Sequence, residues 1–136
     1  MTESFAAFAL YAGLHAILLV VLALNTGVRR GAQKALDPGA IGDASLTRAI
    51  RAHANFAETA PLALIMLAAL ALTNTAALPI HVLGASFTFA RVVHAFGMMQ
   101  PKHPNLLRFV GNILTWLVLL GGGLLCLLRF FEALPR

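Results

Sequence analysis

Charge is scarce in this sequence, cysteine is nearly absent, and carboxylates are outnumbered two to one. Only 11% of the 136 residues are charged, with five Asp and Glu against ten Lys and Arg. Soluble domains carry charge on roughly a quarter of their residues. A chain that is 60% hydrophobic, with a mean hydropathy of +0.84, is therefore excluded from that class and is expected to be an integral membrane protein. The single cysteine, Cys126, excludes an internal disulfide, and no His or Cys stands near it at metal-ligand spacing, so no metal site is expected. The cations lie scattered at the edges of apolar runs and form no dense basic face, which excludes a nucleic-acid binder. No Lys or Arg precedes Arg29, so the first apolar run lacks the basic start of a secretory signal peptide and is expected to stay as a membrane span.

A helix needs about 20 predominantly apolar residues to cross a bilayer. Four stretches qualify, at 5–24, 49–72, 78–98 and 106–128. The expected fold is a single all-α domain over residues 1–136, a bundle of four transmembrane helices. Of the connections, only 25–47 is long enough for a local shape of its own; it carries Arg29, Arg30, Lys34 and Pro38. Connections 25–47 and 99–105 hold or adjoin most of the Lys and Arg, while 73–77 has none. The positive-inside rule places the first and third connections in the cytoplasm.

Residues that lipid should reject mark the second span. Arg48, Arg51, Asn55 and Glu58 precede the apolar run that ends at Leu72, and an Arg or Asp at a helix centre costs about 2.5–3.5 kcal/mol on insertion scales. At about 100° per residue, with Arg51 as zero, Asn55 falls at about 40°, Glu58 at about −20° and Arg48 at about 60°. His53 falls at about 200°, on the opposite side, and is read as a packing or inter-helix hydrogen-bonding residue. The third span ends with Arg91, His94 and Met98 on one face, and the fourth opens with Arg108. Topology alone thus brings Arg51, Asn55, Glu58, Arg91, His94 and Arg108 to similar depth. Their excess of cations fits an anionic ligand, with Asn55 and Glu58 left to receive an ammonium or amide. The plainer alternative is a set of inter-helix ties, Arg51 with Glu58 and Arg91 with a carbonyl, although structural pairs are more often charge-balanced. His15, His81 and His103 read as interfacial or hydrogen-bonded residues. Cys126 and the glycines at 121, 122 and 123 read as close-packing residues of the fourth helix.

The pattern Arg51-x-His53-x-Asn55-x-x-Glu58-x-x-Pro61 on the second span, followed by Arg91-Val-Val-His94-x-x-Gly97 on the third, resembles the MAPEG family. These are the membrane-associated proteins of eicosanoid and glutathione metabolism. The resemblance covers essentially the whole chain and is strongest to the small bacterial members, which implies a bacterial inner membrane. It further implies a homotrimer with glutathione bound between neighbouring subunits near the cytoplasmic side. By position, Arg51 would hold a glutathione carboxylate, Asn55 and Glu58 the γ-glutamyl end, and Arg29 or Arg30 a further carboxylate. His53 stands where relatives carry Gln or another polar residue that also reaches glutathione. Arg91 and His94 match the Arg-x-x-His of the prostaglandin E synthase branch. Arg108 matches the arginine that stabilises the glutathione thiolate, with Lys102 as its rival.

The implied chemistry is coherent on physical grounds. A thiolate is the nucleophile, a free thiol is mostly protonated at neutral pH, and a neighbouring cation favours the ionised form. The expected activity is that of a glutathione transferase or peroxidase, acting on an apolar electrophile or lipid hydroperoxide that arrives from the membrane lipid. Thr59 and Met98 stand where active relatives often carry tyrosines, which raises the alternative of a non-catalytic lipid-binding scaffold. A transporter or channel would spread polar residues through the bilayer depth, whereas here they gather at one end.

Overall fold

The computed structural model describes residues 1–36, 44–102 and 104–135. His103 lies outside them, as does the side chain of Lys34. The chain forms four helices, α1 (Glu3–Leu36), α2 (Ala44–Leu72), α3 (Ala77–Met99) and α4 (Leu106–Glu132), with no strand among the described residues. All four are long and apolar enough to cross a membrane. In lipid a backbone amide finds no water, so a spanning segment has to satisfy its own N–H and C=O groups as a helix.

The helix ends follow from local chemistry. Asn74 takes a left-handed φ of 54°, a conformation Asn tolerates, and so turns the chain after α2. Thr73 Oγ1 donates back to the carbonyl of Ala69 at 3.0 Å. Pro79 sits in the first turn of α3, where its missing N–H costs nothing. At the start of α4, Asn105 caps the helix, its Oδ1 accepting from the N–H groups of Leu107 and Arg108 at 2.9 and 3.3 Å.

The first helix differs from the span read in the sequence. Asn25, Thr26 and Gly27 look like a break, yet α1 continues through them to Leu36. Their polar groups are satisfied along the helix, because Thr26 Oγ1 donates to the Leu22 carbonyl at 3.0 Å and Arg29 Nε to Asn25 Oδ1 at 3.0 Å. At 34 residues the helix is about 50 Å long, against about 30 Å of bilayer hydrocarbon. Helix α1 thus takes in residues 25–36 of the first connection read from the sequence, and residues 37–43 lie outside the described residues.

Helices α2 and α3 form the centre. α1 packs on both of them, α4 packs on α3 and more sparingly on α2, and among the described residues the α1 and α4 backbones do not come close to one another. The end at which α1 and α3 finish and α2 and α4 begin holds Arg48, Arg51, Arg91, Lys102 and Arg108; it is called the basic end below. At the opposite end Thr75 links three elements, since its carbonyl accepts from Ser4 Oγ at 2.6 Å and its hydroxyl from Arg129 Nε at 3.2 Å.

Helices in lipid gain nothing from hiding apolar surface, so they associate through close packing, which small residues permit. Gly97 lies against the backbone of Arg108, and a Cβ on Gly111 would come within 2.6 Å of His94 N and 2.7 Å of Ala90 O. The α3 and α4 backbones thus touch at the basic end. Of the three consecutive glycines in α4, only Gly122 is packed, against the Met66 side chain, while Gly121 and Gly123 face open space. A methyl at position 111 must push two backbones apart, at a cost of about 1–3 kcal/mol. Gly111→Ala is therefore expected to lower the thermal unfolding midpoint in detergent, while Gly121→Ala, which adds a methyl in open space, leaves it unchanged or raised.

Candidate functional site

At the basic end the side chains of α2 divide by direction. Ala49, Ala52 and Phe56 face the core, Arg51 and Glu58 are exposed, and Arg48 and Asn55 lie half-buried between these two faces. Arg51 and Glu58 are not paired, the salt bridge among the described residues being Arg129 with Glu132 at the far end. Among the described residues of one chain, the tie considered between Arg51 and Glu58, both on α2, is not formed.

Arg91 is wholly buried. Its Nη2 donates to Asn55 Oδ1 on α2 at 2.7 Å and to His94 Nδ1 on α3 at 3.2 Å, while Nη1 donates to Thr115 Oγ1 on α4 at 3.2 Å. Thr115 Oγ1 in turn donates to the Gly111 carbonyl at 2.7 Å. The guanidinium carbon lies 6.0 Å from the centroid of Phe56, and Nε finds no partner among the described residues. One planar cation thus joins three helices through neutral groups, a geometry that a guanidinium fork can make and a point-charge ammonium cannot. Its partners are side chains, not the carbonyl considered from the sequence.

In front of this tie a cleft of about 420 Å³ opens where the end of α3, the connection after it and the start of α4 meet Asn55 of α2, with Asn55, His94, Met98 and Arg108 on its wall. The α4 side is a single stripe, Arg108, Asn112 and Trp116 at four-residue spacing with Phe109 and Ile113 beside them. Toward the other end α2 and α4 are in contact, with Gly122 against Met66 and Cys126 Sγ donating weakly to the Met66 carbonyl at 3.9 Å.

Of the residues singled out in the sequence, Asn55, His94 and Arg108 reach the cleft, as does Met98. Arg91 stands behind the wall, bonded to two of its members. Arg51 and Glu58 are exposed and do not line the cleft, and His53 is half-buried outside it. Arg29 is half-buried and engaged with Asn25, Arg30 is exposed, and Lys102 is exposed outside the cleft. Sequence reasoning missed Asn112, Thr115 and Trp116. A polar Asn112 one turn after Arg108, inside an apolar helix, was the available signal.

The residues carrying this arrangement fall within a stretch recognised as a whole: a MAPEG family model matches residues 8–128. The chain belongs to the MAPEG family. No curated protein matches it. As a MAPEG protein with four spanning helices it is a multi-pass membrane protein, and the unpaired Arg51 and Glu58 sit on the helix that also supplies Asn55 to the cleft.

Thr115 tests the tie directly. Thr115→Val keeps the shape and removes the acceptor for Nη1, which is expected to cost about 1 kcal/mol and to lower the unfolding midpoint in detergent. An unshifted midpoint would show that Arg91 does not hold α4.

Proposed function

We propose that the cleft binds glutathione and activates its thiol toward a hydrophobic electrophile or lipid hydroperoxide. The observation that carries this reading is the placement of Arg108 on the wall that also holds Asn55 and His94. MAPEG membership supports it, since that family serves glutathione metabolism. In conjugation, glutathione would release its thiol proton to solvent, the sulfur would supply the electron pair of a new C–S bond, and the leaving group would depart with the pair of the bond that breaks, or, in an addition, the carbanion formed would take a proton. With a lipid hydroperoxide the thiolate would take the terminal oxygen as the O–O bond breaks and the lipid alcohol leaves with a proton, and a second glutathione would convert the resulting sulfenic acid to the disulfide and water. Arg108 would stabilise the thiolate through its positive charge.

The exposed Arg51 and Glu58 fit a site completed by a second copy of the chain. An unpaired cation and anion on one helix face are costly against lipid and well suited to the ends of a zwitterionic peptide held at a subunit boundary. The reading therefore includes a homotrimer with glutathione between subunits, at a basic end facing the cytoplasm, as the bias of Lys and Arg supports. Apolar second substrates would reach the cleft sideways from the bilayer.

A second reading has its own observation. Met98 on the cleft wall offers no hydroxyl, and the Thr59 hydroxyl is already engaged with the Asn55 carbonyl at 2.9 Å. A site without those hydroxyls fits a lipid-binding scaffold that performs no conjugation, and measurable turnover of a model electrophile would exclude it.

Two measurements test the proposal. Calorimetric titration of the detergent-solubilised protein with millimolar glutathione is expected to show saturable heat, and its absence would remove the basis for the reading. Arg108→Ala is expected to lower kcat by about 10²–10³, the usual loss when one donor to a developing anion is removed. Thiolate absorbance in the ultraviolet should fall in parallel, while glutathione affinity changes much less. An unchanged thiolate signal would assign that role elsewhere, with Lys102 the next residue to replace.

A further inference from the structure

Arg91 does not line the cleft, yet two side chains that do are bonded to it from behind. We infer that Arg91 is a positioning residue that sets the hydrogen-bond polarity of the cleft wall, turning both Asn55 and His94 into donors toward whatever the cleft holds.

A guanidinium has donors and no acceptor. The Asn55 atom 2.7 Å from Nη2 must therefore be the amide oxygen, which leaves the NH₂ group as the free branch of that side chain. The same Nη2 lies 3.2 Å from His94 Nδ1, so that nitrogen must carry a lone pair. A neutral imidazole has one proton, which is then on Nε2, and a doubly protonated ring would set N–H against N–H. Among the described residues no other side chain is bonded to Asn55 Oδ1 or His94 Nδ1. Arg91 cannot turn away from them, because Nη1 is held by Thr115, whose own proton is committed to Gly111. One buried cation thereby fixes an amide orientation and a histidine tautomer together.

With Arg108 also donor-only, the part of the wall formed by Asn55, His94 and Arg108 offers N–H groups, while Asn112 beside it carries both a donor and an acceptor. The ligand groups that Asn55, His94 and Arg108 receive are carboxylates, carbonyls and thiolates. That an anionic thiol compound fills this role rests on the glutathione reading above; the tautomer and the amide orientation do not.

The test uses the full-length protein in detergent, labelled with ¹⁵N-histidine, with the His94 resonances assigned by their loss in His94→Gln. Long-range ¹H–¹⁵N spectra are expected to show a single Nε2–H tautomer for His94, and a mixture in Arg91→Met. An Nδ1–H or doubly protonated His94 in the unsubstituted protein would overturn the inference, and this arm needs neither a stable variant nor a bound ligand. Glutathione titration supplies the second arm. Arg91→Met is expected to weaken binding by about tenfold, as for the loss of one or two oriented hydrogen bonds, and to add nothing once Asn55 and His94 are both alanine. An equal loss in both backgrounds would mean that Arg91 acts on the ligand directly and would overturn the positioning role. Absence of glutathione binding to the unsubstituted protein would defeat the proposed function alone, with the tautomer still deciding the inference.

Discussion

The Arg91 guanidinium, held by Asn55, His94 and Thr115, is the contact on which the basic end of the bundle depends. A buried cation left without partners is far more costly than one that is hydrogen-bonded, and lipid offers it no substitute. Satisfying Arg91 therefore requires α2, α3 and α4 to be at one place in one rotation. The glycine contacts meet the same requirement from the backbone side: Gly111, whose carbonyl receives the Thr115 proton, is also where α4 presses against the α3 backbone. Polar satisfaction and close packing select the same geometry here, which is the consistency expected of a well-specified structure.

The cleft is built around this fixed point. At the opposite end α2 and α4 are in contact, with Gly122 against Met66, whereas at the basic end Arg108, Asn112 and Trp116 of α4 line the cleft together with Asn55 and His94. Pro104 and Asn105, from the connection between α3 and α4, complete the lining. The site therefore draws on three helices and on the segment that joins two of them.

Much of this was legible in the sequence, and the rest was not for identifiable reasons. Four apolar runs of spanning length fixed the number of helices, and family membership could be read from Arg51, His53, Asn55, Glu58 and Arg91 with His94. The gathering of Arg91, His94 and Arg108 at one depth followed from antiparallel topology alone. Rotation did not. Whether Asn55 meets Arg91 or faces outward with Arg51 depends on how α2 turns against α3, and Phe56 and Ala52 settle that by packing inward. The length of α1 was hidden because Asn25, Thr26 and Gly27 resemble a terminus until their hydrogen bonds along the helix are seen. Thr115 gave no signal, since its role exists only through a partner 24 positions away on another helix.

α3 is long and apolar enough to cross a membrane, yet it carries the fully buried Arg91 and the nearly buried His94. On its own in a bilayer this segment would expose a cation whose partners on α2 and α4 had not yet arrived. Thr115 lies on α4, the next helix to be synthesised, and Asn55 on α2, the one before. Biogenesis is thereby constrained: α3 gains full stability in the membrane only when flanked by its neighbours, so the chain should settle as a cooperative hairpin of α3 and α4 against α2 and not one helix at a time.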